Sequence, residues 1–121
     1  MGPRGANVRR ALTTVRSTRE IDEVFRRGDR SVDELLTVFA SETPERYGAE
    51  GRLVFIAGRK VGNAVTRNRC KRVMREAVRR SGGPWAGRDL ALIARPGLLR
   101  ADSADIDRSL ARHLGRLRIV A

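Results

Sequence analysis

Apolar residues recur every three or four positions in three stretches of the chain, a spacing typical of amphipathic helices. Each stretch has its own start or stop signals. A capping box, "STRE" at 17–20, opens the first stretch, and Gly28 follows it. Asn63 is a good N-cap for the second stretch, and Asp102 or Ser103 for the third. The pattern therefore predicts helices over about residues 18–27, 64–80 and 103–117.

Short runs rich in apolar and β-branched residues lie between these helices and predict strands. Two of them, 35–40 and 52–58, flank a turn region with one proline and two glycines, so we expect them to pair as an antiparallel hairpin. The run at 89–95 is apolar enough to be central in the sheet, and one more short strand is expected near 58–61. The order αβββαβα indicates an α/β (α+β) single-domain, two-layer sandwich with helices packed on a small mixed sheet.

The second predicted helix has an unusually cationic polar face. On a helical wheel of roughly 100° per residue, Cys70, Val73, Met74 and Ala77 share one apolar stripe. Cys70 is therefore expected to be a buried, structural thiol. The rest of the helix carries seven Arg or Lys residues and one acid, Glu76. Like charges four residues apart repel each other, so this face suits a phosphate backbone that neutralises it. A solvated face without a ligand is the alternative.

Composition also favours a polyanionic partner. The 121-residue chain has a formal net charge of +12 and a sequence pI of about 11.6, which indicates nucleic acid before a membrane surface. Binding in a DNA major groove is disfavoured, because a strand and a Gly–Asn turn, not another helix, precede the basic helix. The N-terminus lacks the apolar core of a signal peptide. Residues 1–10 are predicted to be a basic flexible tail, 11–121 the domain, and the location cytoplasmic.

The titratable residues offer little for catalysis by the protein itself. With one Cys and one His, the chain cannot build a thiolate zinc site or a pair of histidine ligands. His113 is expected to be solvated or half-buried on the last helix. Asp102, Asp105 and Asp107 could suggest a metal trio, but acids in a first turn favour the positive end of the helix dipole, and this interpretation is preferred.

The segment "GRKVGNAVTRNRCKRVMREAVRR" at 58–80 resembles the signature of the bacterial ribonuclease P protein family, an R-N-R segment and a basic helix after a Gly–Asn–Ala turn. "STREIDEVFRRG", "DLALIARPG" and "IDRSLARHLGRL" resemble the family's first helix, C-terminal strand and closing helix. The resemblance covers about residues 12–117. It implies an α/β fold with a left-handed βαβ crossover, shared with the second domain of a small-subunit ribosomal protein.

The resemblance further implies the small subunit of a ribonucleoprotein endonuclease. In this particle the large RNA performs the chemistry, cutting precursor tRNA to give the mature 5′ end, with Mg²⁺ held mainly by RNA phosphates and no metal bound directly by the protein. The expected partners are the ribonuclease P catalytic RNA and precursor tRNA, with no DNA and no membrane. A non-catalytic RNA-binding module, such as a ribosomal protein or an RNA chaperone of similar fold, is the alternative.

Site residues are carried over from the positions that match the family's motifs, with Arg79 added from the same helical face. The residues expected to contact the catalytic RNA are Arg59, Lys60, Arg67, Asn68, Arg69, Lys71, Arg72, Arg75 and Arg79. A cleft between the first helix and the sheet is expected to bind the single-stranded 5′ leader through Ile21, Phe25 and Phe39. Stacking of bases on aromatic rings tolerates any sequence. Ile21 stands where the family usually has an aromatic residue, and core packing is the alternative role for Phe25.

Overall fold

The computed structural model describes residues 18–120, and side chains from residue 21 onwards. The predicted tail and Ser17 of the capping box lie outside these residues. The helices are α1 (Thr18–Arg27), α2 (Ala64–Arg80) and α3 (Ser103–Arg116). The strands are β1 (Asp29–Val32), β2 (Leu36–Glu42), β3 (Leu53–Ile56) and β4 (Arg88–Ala94). Three short 3-10 turns cover Glu45–Tyr47, Arg59–Val61 and Pro96–Arg100. The predicted order αβββαβα and the predicted fold class are confirmed.

The four strands form one mixed sheet in the order β1-β2-β4-β3. β4 pairs antiparallel with β2 and parallel with β3, so its predicted central position is confirmed. The predicted hairpin of β2 and β3 is wrong, because β4 lies between them. β4 buries Leu90, Ala91 and Leu92 completely, and its contact with both neighbours shields more apolar surface than a direct β2–β3 pair would.

The additional short strand is β1, not the predicted one near 58–61, where the chain forms a 3-10 turn. β1 pairs antiparallel with β2 across a tight turn. At that turn, Asp33 Oδ1 accepts hydrogen bonds from the backbone N–H groups of Leu35 at 2.8 Å and Leu36 at 2.9 Å. Such Asx turns are local sequence signals, but the prediction of the strands did not use this one.

Helices cover both faces of the sheet. α2 and α3 pack over the larger core, in which Leu36, Leu53 and Leu92 are buried. Side chains alternate between the two faces of a strand, so Val54 and Ala91 point to the opposite face, where they contact α1. The predicted two-layer sandwich therefore describes the sheet with α2 and α3, and the short α1 adds a partial third layer. The hand of the β3–α2–β4 crossover stays a prediction.

Local signals set the ends of α1 and α2, as predicted. Gly28 ends α1, and a Cβ atom there would collide with the carbonyl oxygens of Val24 and Ala40. Asn63 caps α2 by accepting a hydrogen bond from the N–H of Thr66 at 3.0 Å. The predicted apolar stripe of α2 is confirmed, since its members face the core: Cys70, Met74, Ala77 and Val78 are buried and Val73 packs against them. Burial raises the pKa of the Cys70 thiol, which suits a structural role.

His113 is completely buried, so the prediction of a solvated or half-buried side chain is wrong. It lies on the core-facing stripe of α3, where its Nδ1 is 2.7 Å from Ser31 Oγ and its Nε2 3.3 Å from Asp33 Oδ2. Ser109 donates to the same Asp33 oxygen at 2.6 Å. These polar contacts join α3 to the β1–β2 turn. Burial lowers the pKa of His113, and Arg116 and the neighbouring arginine of α3 reinforce this effect while Asp33 opposes it.

A buried ion pair links the start of β3 to β4. Arg52 donates to Asp89 Oδ2 through Nε at 3.1 Å and Nη2 at 2.6 Å, and both side chains are almost inaccessible to water. Thr43 and the backbone N–H of Arg52 donate to the other Asp89 oxygen, at 2.7 Å and 3.1 Å. Asp89 is therefore saturated with donors, the condition under which a buried carboxylate is tolerated.

Candidate RNA-binding surface

α2 presents a cationic face that begins within two turns of its capped N-terminus. Arg67, Lys71, Arg75 and Arg79 follow one another at four-residue spacing, which places them along one side of the helix. The first three of them are half-buried, whereas Arg79 is exposed. The residues that point further from the core are also exposed: Asn68, Arg69 and Arg72.

The cations of this face have no carboxylate partner within residues 21–120, where every ion pair of α2 belongs to another arginine. That arginine is Arg80, which grips Asp107 of α3 with Nη2 at 2.8 Å and Nε at 3.1 Å. Arg80 is not among the residues predicted to contact RNA, and this ion pair compensates its charge. Asp107 thus has a partner of its own, while Asp102 and Asp105 form the capping box of α3, as acids in a first turn are expected to do.

Two half-buried arginines of the cationic face differ in what surrounds their guanidinium groups. The guanidinium carbon of Arg75 lies 5.1 Å from the ring centroid of Phe55 on β3, within range of a cation–π contact. Phe55 is otherwise a core residue. The Nε of Arg67 is shielded from water and has no hydrogen-bond partner in the described part of the chain. A shielded donor of this kind favours any ligand that brings an acceptor to it.

The 3-10 turn before α2 extends the cationic face. Arg59 and Lys60 are exposed there, and Val61 anchors the turn in the core. Gly62 then adopts a φ of 136°, a conformation that side-chain-bearing residues rarely take, so the turn requires glycine. We call the combined set the basic surface: Arg59, Lys60, Arg67, Asn68, Arg69, Lys71, Arg72, Arg75 and Arg79. The structure brings all nine predicted residues onto this turn and α2.

The three residues predicted to line the leader cleft also come together, but elsewhere. Ile21 and Phe25 lie one turn apart on α1, and Phe39 lies on β2; all three are half-buried. The rings of Phe25 and Phe39 have centroids 4.8 Å apart and planes inclined by 46°. Ile56 packs into the same cluster and was missed, although the period of two along β3 from Val54 would have indicated it. We call these four residues the apolar cleft.

The basic surface and the apolar cleft belong to opposite faces of the sheet, since α2 packs on one face and α1 on the other. The first offers charge-assisted hydrogen bonds to phosphate oxygens. The second offers aromatic and aliphatic walls to a flat apolar group such as a nucleobase. The two features are therefore separate in position and in chemistry, one cationic and the other apolar.

The carboxylates of the described residues are not gathered into a metal site. No group of three or more His, Cys, Asp or Glu side chains within residues 21–120 is placed to hold a metal ion. The donors on the basic surface are cations and one amide, which repel Mg²⁺ or bind it weakly. Within the described residues, every helix is too short or too polar to cross a membrane.

Comparisons with known proteins point to one family. The ribonuclease P family model matches residues 10–118. The ribonuclease P protein component of Brevibacillus brevis is 34% identical over 111 residues, covering 88% of this chain and 83% of that protein. The one from Natranaerobius thermophilus is 36% identical over 95 residues, covering 78% and 77%.

Solved structures extend the likeness to the fold. The ribonuclease P protein of Thermotoga maritima matches with a TM-score of 0.72 and 29% identity, over 85% of this chain and 96% of that one. The Staphylococcus aureus protein, at 21% identity, matches in fold with a TM-score of 0.78 over 91% of this chain and 99% of that one. The chain therefore belongs to the ribonuclease P protein family, with the role in tRNA processing, alongside the ribonuclease P RNA, that the family's name carries.

Proposed function

We propose that this chain binds the catalytic RNA of ribonuclease P through the basic surface and the 5′ leader of precursor tRNA through the apolar cleft. In doing so it assists the Mg²⁺-dependent endonucleolytic removal of the leader. The observation that carries the proposal is the row of cations on α2 without a carboxylate partner in residues 21–120. Such a row repels itself, and a phosphate backbone relieves the repulsion.

The distribution of burial within the basic surface supports a folded RNA as the ligand. Its exposed members reach a partner that approaches α2 from outside, whereas Arg67 and Arg75 are half-buried and Arg75 lies against Phe55 of β3. Positions fixed by packing lose less side-chain entropy when they bind. The shielded Nε of Arg67 gains an acceptor if a phosphate oxygen approaches it.

The apolar cleft supports the second part of the proposal. Phe25 and Phe39 are neither fully buried nor fully exposed, so their rings both pack on the sheet and retain surface for a ligand. Unpaired bases stack on such rings at about 1–3 kcal/mol per base, whatever the sequence. Ile21 adds an aliphatic wall in place of the usual aromatic one. A leader that differs between tRNAs requires this tolerance.

We assign the chemistry to the RNA subunit. Magnesium ions held by RNA phosphates would supply the hydrolytic chemistry, and the donor set of the basic surface gives no reason to place them on the protein. The protein's own contribution is electrostatic and positional: its cations screen repulsion between the catalytic RNA and the substrate. RNA alone can achieve the same screening with more Mg²⁺, so the effect of the protein is largest when Mg²⁺ is scarce.

Reconstitution tests the proposal. The purified chain is added to a bacterial ribonuclease P RNA and precursor tRNA at low millimolar Mg²⁺, and the cleavage rate is compared with that of the RNA alone. We expect faster cleavage at the mature 5′ end, with a difference that narrows as Mg²⁺ is raised. Binding to the RNA without acceleration would instead favour a non-catalytic RNA-binding module.

The apolar cleft is tested with two substrates, one with a 5′ leader and one without. Replacing Phe25 with alanine should weaken binding of the leader-bearing substrate by about tenfold, the value of one base stack, and leave the leaderless one unchanged. Val24→Ala is the control, because Val24 is buried beside Phe25 and contributes to packing alone. If Phe25→Ala weakens both substrates equally, Phe25 has only a core role.

A further inference from the structure

A small cavity of about 160 Å³ lies beside the basic surface, between the N-terminal half of α2 and the turn Pro96–Arg100. Val65 and Arg69, one helical turn apart, form its wall on α2. Leu99 forms the facing wall, and Cys70 and Ile106 close the floor, both of them buried. We call this cavity the apolar notch. Of these residues, Arg69 alone was among those predicted to bind RNA.

The two sides of the apolar notch are unusually exposed for aliphatic residues. Val65 is 78% exposed and Leu99 50% exposed. Single exposed aliphatic residues are ordinary, but two that line the same cavity form a local apolar patch, and such patches mark binding sites. Helix stability does not explain Val65, because a β-branched residue on the surface of a helix is slightly worse than alanine. A ligand between the two side chains would shield both.

The size and the lining of the apolar notch restrict the ligand. Drug-sized molecules occupy roughly 300–1,000 Å³, so this volume suits a single small ring system. The residues around it include Arg69 and the Thr66 hydroxyl, both able to donate a hydrogen bond, and no acidic side chain. Arg69 also belongs to the basic surface, so the notch opens where phosphates are expected. An apolar slot with a cation at its side suits a flat group attached to a phosphate.

We infer that the apolar notch receives one unpaired nucleobase of the ribonuclease P RNA. The base lies between Val65 and Leu99, and its phosphate lies near Arg69. The inference rests on the proposed function and adds a second kind of contact to it. The basic surface neutralises backbone phosphates in any sequence, whereas a notch for one base fixes the register of the RNA on the protein.

The variant Val65→Ala/Leu99→Ala removes both walls and leaves every charge in place. We expect it to bind ribonuclease P RNA about tenfold more weakly, the size of one nucleobase contact. The log–log salt dependence should stay unchanged, because no phosphate contact is lost. Val32→Ala/Val120→Ala is the matched control, since these aliphatic residues are 37% and 39% exposed and lie outside the notch. It should bind as the unmodified chain does, and circular dichroism checks that both variants are folded.

A second measurement identifies the occupant. A photoreactive side chain at position 99 should crosslink to one unpaired nucleotide of the RNA. Replacing that nucleotide with an abasic one should weaken binding by the same factor of about ten. Combined with Val65→Ala/Leu99→Ala, the abasic RNA should lose no more, because each change removes the same contact. Unchanged affinity of the double variant, scattered crosslinks or additive losses would overturn the inference. They would leave the proposed function standing, which fails only if the unmodified chain does not bind or assist the RNA.

Discussion

α2 and α3 carry basic residues at the same four-residue spacing, yet these residues have different surroundings. On α3, Arg108 pairs with Asp105, Arg112 reaches Asp33 at 3.1 Å, and Arg116 donates to oxygens of β1. On α2, the cations of the basic surface meet no carboxylate within residues 21–120. The arginines of α3 are thus part of the fold, whereas the cations of the basic surface on α2 have no such partner within residues 21–120.

The number of charges alone therefore does not locate a surface that binds a polyanion. A paired guanidinium has its charge compensated within a few ångströms, whereas an unpaired one contributes to the potential that a polyanion meets. The sequence of α3 alone does not reveal this pairing in full, because one of the acids that neutralise it comes from elsewhere in the chain. Arg112 pairs with Asp33, which lies 79 positions away.

The largest expected effect is on stability, from Asp33→Ala. Asp33 accepts hydrogen bonds from Ser109, Arg112 and the backbone of the β1–β2 turn, and it lies against buried His113. Removing one partner of a largely buried charged network costs about 3–5 kcal/mol in the free energy of unfolding. Urea denaturation measures this loss. Asp22→Ala, on the exposed side of α1, is the control and should change stability by about 0.5 kcal/mol or less. A comparable loss of stability in both variants would contradict the structural role of Asp33.

The second prediction concerns RNA binding, and it compares the substitution of one arginine from each helix. Arg72 is exposed and belongs to the basic surface, and Arg108 is exposed but paired with Asp105. Arg72→Ala should lower the slope of log affinity against log salt concentration by about one, the value of one phosphate contact. Arg108→Ala removes the same formal charge and should leave the slope unchanged. Equal slopes for the two variants would show that net charge alone governs binding.

A third effect concerns pH and the network that holds α3. The pKa of His113 is lowered in the folded protein, so the unfolded chain takes up the proton first as the pH falls below about 6.5. The contribution of neutral His113 to the free energy of unfolding is therefore complete above that pH. It is lost as the pH falls through and below it. Burial raises the pKa of Asp33, but hydrogen bonds from Ser109, Leu36 and Leu35 outweigh this and hold it well below 3.8.

The contribution of Asp33 therefore stays complete between pH 7 and pH 5, and His113 is the sole histidine of the chain. Unfolding free energies from urea titrations should fall from pH 7 to pH 5 in the unmodified chain. His113→Gln should remove most of this fall, whatever its stability at pH 7. A fall of the same size in the variant would assign the pH dependence to other groups.

How far the sequence predicted the fold depends on the range of the interactions. The bounds of α1 and α2 follow from signals within a few residues, such as Gly28 and Asn63, and the structure reproduces them. Strand pairing is decided between distant segments, so the insertion of β4 between β2 and β3 did not follow from any local pattern. His113 was misjudged for the same reason, because its partner Ser31 lies 82 positions away.

The same division holds for the candidate site. A helical wheel predicted the cationic face of α2, because periodicity alone decides which side chains share a face. It could not show that Arg80 is paired, since the acid that pairs with it lies on α3. The grouping of Ile21, Phe25 and Phe39 came from family resemblance, and the apolar notch at Leu99 required the packing of a distant turn against α2.

The last substitution moves one arginine from the paired class to the unpaired class, and we expect it to change RNA binding least. Asp107→Asn removes the carboxylate that holds Arg80, with about 40% of each side chain exposed, so stability should fall by about 1 kcal/mol or less. The freed Arg80 lies on α2 beside the basic surface, so RNA affinity should rise and the salt slope should steepen by up to about one. Glu50→Gln is the control, because it changes the net charge by the same amount. Glu50 lies in an exposed loop that precedes β3 in the sequence, whereas α2 follows β3. If both variants gain affinity equally, long-range charge explains the gain; if Asp107→Asn alone gains, pairing decides which arginines of this protein are available to RNA.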